Sequence, residues 1–180
     1  MCRYYAFELC ALSLRDWVDK RQKGEDHGPI PSDWLGLNQL ALALQFLHEK
    51  KYIHRDLSPE NILISVGGDR MILSDFGLSK AVHESGSVSI SLPIVGKENW
   101  FAPERISNRL NRSHDNSQDN SEETRVTIAS DTWAMGCLFY YFITRGHHPF
   151  YNKDWILMQN NILNGNFNLE SKYTIDKYLI

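Results

Sequence analysis

Leu37, Leu40, Leu44 and Leu47 recur every three or four residues, with Ala41 and Ala43 between them, a spacing that predicts a long helix with one apolar face ending near His48. Ser32 stands where an N-cap opens it. Ahead of that helix, the aromatic-rich residues 3–9 predict a strand, and Leu12, Leu14, Trp17 and Val18 predict a short amphipathic helix. Lys20 to Pro31, broken by Gly24, Gly28, Pro29 and Pro31, predicts a loop. Short β-type runs follow at Tyr52–Ile53, Ile62–Val66 and Met71–Leu73, the last two joined through a Gly67-Gly68 hairpin turn. From Ile128 to Thr144 the one charged residue is Asp131, the pattern of a helix buried on all sides, and Trp155 to Leu163 predicts another helix. Asn111 to Thr124 holds no apolar residue, so no burial offsets its ordering entropy, and residues 111–124 are expected to form a disordered polar insert.

Composition narrows the classes. At 180 residues the chain fits one domain, and its 42% hydrophobic content can fill a core, which excludes wholesale disorder. Nineteen basic against 22 acidic residues give a net charge of -3, so no basic surplus draws nucleic acid to this segment. Cys2, Cys10 and Cys137 are odd in number and irregular in spacing, which points to reduced thiols in the cytosol or nucleus. The longest strongly apolar stretch, Trp133 to Thr144, falls short of the roughly 20 residues a bilayer-spanning helix needs. No signal or transit peptide is visible at the amino terminus.

The chemistry is concentrated in His54-Arg55-Asp56-Leu57-Ser58-Pro59-Glu60-Asn61, followed by Asp75-Phe76-Gly77 and Ala102-Pro103-Glu104. Phosphoryl transfer needs a carboxylate to orient and accept the proton of an attacking hydroxyl, and oxygen ligands for the Mg²⁺ that rides on nucleotide phosphates. Asp56, Asn61 and Asp75 supply these. Asp56 and Asn61 end one loop, and Asp75 follows a strand that can return it to the same edge. A turn-forming or capping role is the plainer alternative for each of them. His54 by itself fits a packed core histidine, and His147-His148 has no third ligand at a metal-binding spacing.

Taken in order, these motifs resemble the catalytic loop, the magnesium-binding Asp-Phe-Gly and the Ala-Pro-Glu of the eukaryotic protein kinases, and Asp131-Thr132-Trp133-Ala134-Met135-Gly136 resembles that family's central buried helix. The resemblance implies an α+β, mainly α fold: the helical large lobe with short β-hairpins at the cleft. It implies ATP and Mg²⁺ as cofactors, Asp56 and Ser58 in the catalytic loop, and Asn61 and Asp75 as metal ligands. By the same resemblance Glu8, Cys10 and Leu63 would lie along the adenine, with core packing also part of what Leu63 does. His54, Arg55, Phe76, Gly77, Glu104 and Asp131 serve as structural motif residues, with His54 stacking near Phe76 and Asp131 bracing the catalytic loop. Glu8-Leu9-Cys10, Gly96 with Trp100, Phe139-Tyr140-Tyr141, Gly146 to Phe150 and Asn161-Ile162-Leu163 are most similar to the inositol-requiring sensors of the unfolded-protein response, which join a kinase to an endoribonuclease. That likeness implies a serine/threonine kinase at the cytosolic face of the endoplasmic reticulum, acting on protein substrates that include a second copy of itself in a homodimer.

Several positions depart from the pattern. No Gly-x-Gly occurs, and only nine residues precede Cys10, so residues 1–180 are expected to be a truncated kinase domain, hinge plus large lobe, without a small lobe. The chain is also expected to stop before the helices that supply an arginine to Glu104, and a buried Glu104 so orphaned costs about 3 to 5 kcal/mol. Ser58 stands where such kinases usually carry a lysine that steadies the transferring phosphate, and loss of one such donor costs about 2.7 to 4 kcal/mol. Lys97 stands where they commonly carry a threonine beside the catalytic Asp. Ser85, Ser87, Ser89 and Ser91 fall in the activation segment, where a phosphate could pair with Arg55; the alternative is a small edge strand with polar residues on one face. A non-catalytic interaction module, a pseudokinase, is the rival to an active kinase.

Overall fold

The computed structural model describes residues 7–82, 87–90, 95–114 and 124–169. The first strand, β1 (Cys10–Ser13), runs straight into helix α1 (Leu14–Lys23), whose N-cap Ser13 Oγ accepts the Asp16 N–H at 3.1 Å. Of the strand expected at residues 3–9, positions 3–6 lie outside the described residues and 7–9 are irregular. The helix extends through Lys20–Lys23, a segment expected to be loop, because Gly24, not Lys20, supplies the left-handed C-cap at φ 72°.

Helix α2 (Asp33–Glu49) opens at Ser32, whose hydroxyl accepts the Leu35 N–H at 3.4 Å, and it buries Leu40 and Leu44. Strand β2 (Tyr52–Ile53) leads into the loop that carries the chemistry. Strands β3 (Ile62–Ser65) and β4 (Met71–Leu73) form the expected hairpin, and β1 adds to the other edge of β3. Strand β5 (Lys80–Ala81) pairs antiparallel with β2. Strand β6 (Ser87–Ile90) is followed by helix α3 (Pro103–His114), and β7 (Thr124–Thr127) pairs antiparallel with β6. Of the insert expected at 111–124, residues 111–114 continue α3 and Thr124 opens β7; 115–123 lie outside the described residues. Helices α4 (Ile128–Ile143) and α5 (Trp155–Asn164) complete the order.

The core lies where α1, α2 and α4 meet the three-stranded sheet: Leu14, Trp17 and Val18 pack with Leu40 and Leu44, with Ile62, Ile64 and Met71 below, and with Leu138, Tyr141 and Phe142 of α4. Gly36 lets α2 approach this closely, since a Cβ there would sit 2.6 Å from the Phe142 ring and 2.8 Å from the Met71 sulfur. Helix α4 is not buried all round. Thr132 and Gly136 are exposed on one edge, because α2 covers α4 from one side and nothing described closes over that edge. A second cluster, Phe101, Ile106, Met158 and Ile162, joins α3 to α5. Cys10 and Cys137 are unbridged thiols, and burial pushes the Cys137 thiol up to about 12. Among the described residues no helix is long and apolar enough to cross a membrane.

His148 is buried edge-on against Trp100 at 4.7 Å, accepts the Phe150 N–H on Nδ1 at 3.2 Å, and is pushed by that burial down to about 4 from an ordinary 6.5. Protonation therefore favours the unfolded chain. Its contribution is fully present above pH 6.5 and is lost as the pH falls through about 4. Urea melts of the parent and of His148→Phe at pH 7, 6, 5 and 4 are expected to diverge: the parent loses stability over this window more steeply than the variant.

Candidate active site

The loop from His54 to Asn61 hangs from a buried carboxylate. Asp131, in the first turn of α4, accepts the backbone N–H of His54 at 2.7 Å and of Arg55 at 3.0 Å, and its Oδ2 lies 3.0 Å from His48 Nε2. These bonds hold Arg55 in left-handed backbone at φ 70°, a conformation a side chain tolerates only where its surroundings enforce it. The His54 ring is fully buried, with Nε2 2.9 Å from the Ser74 carbonyl and its centroid 5.3 Å from the Phe76 ring.

Asp56 follows directly. Its Oδ1 accepts the Lys97 backbone N–H at 3.0 Å, and its Oδ2 accepts Asn61 Nδ2 at 2.9 Å, so both carboxylate oxygens are oriented. Gly96 makes the first contact feasible: at φ 102° it packs on the loop where a Cβ would come within 2.8 Å of the Arg55 carbonyl and 3.1 Å of Asp56 Oδ1. The Asn61 amide also donates to the Asp56 carbonyl at 2.7 Å, which fixes its nitrogen toward Asp56 and leaves Oδ1 as the unspent acceptor.

The hairpin then carries the order across to Asp75. The Asn61 carbonyl accepts both the N–H and the hydroxyl of Ser74 at 2.9 Å, so the residue before Asp75 is bonded to the residue that ends the loop. Asp75 is exposed, sits in left-handed backbone at φ 58°, and accepts the Gly77 N–H on Oδ1 at 3.2 Å, leaving Oδ2 uncommitted. The donor set fits magnesium. One amide and one carboxylate oxygen, both hard and both unspent, match an ion that takes one or two protein ligands and completes its shell with phosphates and water.

Glu8, Cys10 and Leu63 share one open cleft of about 670 Å³, held by the register that sets Ser13 opposite Leu63 and Cys10 opposite Ser65. Glu8 is ion-paired with Arg70 at its rim. A polar groove of about 540 Å³, lined by Arg15, Glu60, Lys97 and Trp155 among others, adjoins that cleft at Glu60. Ser58 is fully buried, and its hydroxyl accepts from Lys97 Nζ at 3.0 Å.

Residues 4–178 match the protein kinase domain family. The chain belongs to that family. It is similar to the serine/threonine-protein kinase/endoribonuclease ireA of Aspergillus fumigatus, with 33% identity over 97% of this chain, and to the serine/threonine-protein kinase/endoribonuclease IRE2 of Homo sapiens, with 39% identity over 90%. It is also similar to the sensor for unfolded proteins in the ER ire1 of Schizosaccharomyces pombe, 34% identical over 91% of this chain. The chain spans only 16 to 17% of the length of these curated relatives.

Within this kinase domain, Ser87 and Ser89 lie in β6, opposite Thr127 and Arg125 of β7, while Ser85 and Ser91 lie outside the described residues. Arg55 directs its Nε to the Leu78 carbonyl, and burial lowers its guanidinium pKa. The buried, orphaned Glu104 envisaged from the sequence is not found. Glu104 is exposed in the first turn of α3 and accepts the Ser130 hydroxyl at 2.5 Å, so no large desolvation cost attaches to it.

Two supports were not assigned from the sequence, and only one of them had a signal there. Arg105 is buried with its guanidinium 3.9 Å over the Phe101 ring and donates to the carbonyls of Arg55 at 3.1 Å and Val95 at 2.6 Å. Burial, with Arg55 nearby, brings its pKa down to about 10. Nothing in a lone arginine after Pro-Glu signals this. His48 was legible, because it extends the Leu40, Leu44 spacing by four and so falls on the inward face of α2.

Asp131→Asn replaces an acceptor of two backbone N–H groups with a side chain that offers one oxygen. The expected loss is about 3 kcal/mol, against about 1 kcal/mol or less for Ser130→Ala at the same helix end. Urea midpoints measured at pH 7 check the ordering of the two variants.

Proposed function

We propose that this domain transfers the γ-phosphoryl group of ATP to a serine or threonine hydroxyl of a protein. The observation that carries the reading is the Asp56 carboxylate, oriented by Lys97 N–H and Asn61 Nδ2, on a loop whose Asn61 carbonyl is bonded to Ser74, the residue before Asp75. Adenine is received by the cleft of Glu8, Cys10 and Leu63, and the phosphates extend toward Asn61 and Asp75. Those two residues would hold magnesium, which when bound would supply charge neutralisation to the phosphates. Asp56 orients the incoming hydroxyl and accepts its proton, a role that needs a carboxylate fixed at both oxygens but open to the cleft.

The likeness to the Schizosaccharomyces pombe sensor for unfolded proteins in the ER supports a place for this domain in a signalling kinase of the unfolded-protein response; a position facing the cytosol and a second copy of the protein among its substrates belong to the same proposal. The activation-segment serines are the acceptors this reading favours. Autophosphorylation there would add a dianion whose proposed partner is Arg55.

The test uses the intact protein that carries this domain, purified with MgATP and a generic protein substrate. Asp56→Asn is expected to lower kcat at least 100-fold while ATP affinity stays within a few-fold of the parent. Asp75→Asn is expected to weaken magnesium-dependent nucleotide binding. Nucleotide binding without phosphotransfer in the parent would instead identify a catalytically silent module, and equal turnover in Asp56→Asn would remove Asp56 from the reaction.

A further inference from the structure

Lys97 is far from the catalytic loop in sequence and joins it in space. Its backbone N–H orients Asp56, and its side chain folds back along the same loop, so that Nζ donates to Ser58 Oγ at 3.0 Å and lies 3.4 Å from Glu60 Oε2. The other cations around the loop are committed elsewhere. Arg55 donates to the Leu78 carbonyl, Arg105 to the carbonyls of Arg55 and Val95, and Arg15 across the groove pairs with Asp19 at 3.3 Å. Among these four described residues Lys97 is the one that hydrogen-bonds a side chain between Asp56 and Asn61, while Arg15 feels the Glu60 charge from across the groove, and with 41% of its side chain exposed Lys97 still faces that groove.

We propose that Lys97 supplies the positive charge that steadies the transferring phosphoryl group, with the buried Ser58 hydroxyl as the seat for its ammonium. The loop position that holds serine thus regains a cation from another segment. An ammonium has three donors. Ser58 engages one, Glu60 Oε2 at 3.4 Å supplies an ion-pair neighbour without a hydrogen bond, and the remaining donors are left for a phosphoryl oxygen. This rests on the phosphotransfer reading above. In that step the substrate hydroxyl oxygen bonds to the γ-phosphorus as the bond from phosphorus to the β-bridging oxygen breaks; ADP departs with that electron pair, and the hydroxyl proton passes to Asp56. Negative charge spreads over the equatorial oxygens in the transition state, where a preorganised cation acts more strongly than on bound ATP.

The alternative is that the lysine merely pins the segment to Glu60. Single-turnover transfer in the intact protein separates the two, using Lys97→Met, Lys97→Arg and the exchange variant Ser58→Lys with Lys97→Thr. Lys97→Met is expected to lose at least 100-fold in transfer rate with ADP affinity within threefold of the parent, which also reports an intact fold. Lys97→Arg is expected to stay within tenfold of the parent, and the exchange variant to recover at least tenfold over Lys97→Met. A second readout needs no turnover: ADP with Mg²⁺ and aluminium fluoride, a planar mimic of the transferring group, should bind Lys97→Met at least 30-fold more weakly. Lys97→Met within threefold of the parent in both assays overturns the proposal while leaving the kinase reading intact. A parent with no Asp56-dependent transfer overturns both.

Discussion

A single carboxylate buried under a loop is the constraint on which the site depends. Asp131 is 2% exposed, and an ion so placed persists only if its oxygens are filled by donors. They are filled by the N–H groups of His54 and Arg55 and by the His48 ring, drawn from the loop and from the end of α2. Its place in the first turn of α4 adds the favourable field of a helix N-terminus. The loop cannot shift without stripping this charge of its partners. Since Asp56 is the next residue, the position of the proposed proton acceptor is set by a group that touches no substrate.

From Asp56 the order passes on through hydrogen bonds. The Asn61 amide closes the loop onto both the carbonyl and the carboxylate of Asp56, and the Asn61 carbonyl holds Ser74 by two bonds. Asp75 therefore stands one covalent step from a fixed point, though it is itself exposed. This division suits its proposed work: a metal ligand has to exchange water for phosphate and magnesium, whereas the residues that aim it gain from being buried.

Local signals in the sequence had local causes, and these the structure reproduces. Ser32 caps α2 because the next turn has an N–H to offer, and Leu40 and Leu44 turn inward because their spacing matches the helical period. The Asp131 helix was legible as apolar, but its exposed edge at Thr132 and Gly136 was not, since a continuous apolar run carries no record of which side lacks a neighbour. At the candidate site, order and spacing were enough to single out Asp56, Asn61 and Asp75 for the proposed roles. The long-range pairings were not: Ser58 with Lys97, Arg105 with the Arg55 carbonyl, and Ser130 with Glu104 each join segments whose proximity only the fold decides.

Charge beneath the loop explains why the site can hold so many ions in so little space. Arg105 keeps its proton at neutral pH even though burial lowers its pKa to about 10, and Asp131 and Asp56 both favour that charge. One buried cation thus stands between two carboxylates, one structural and one at the cleft. Its two terminal nitrogens donate to backbone carbonyls, and its flat face lies on Phe101, so it balances the carboxylates without capping either. The Asp56 oxygens stay available to an N–H and an amide, which orient the carboxylate without pairing its charge. Had the guanidinium bonded Asp56 directly, the carboxylate would be held in a two-pronged ion pair and lost as a base. The burial of Arg105 against backbone is therefore a condition for the proposed chemistry as well as for the fold.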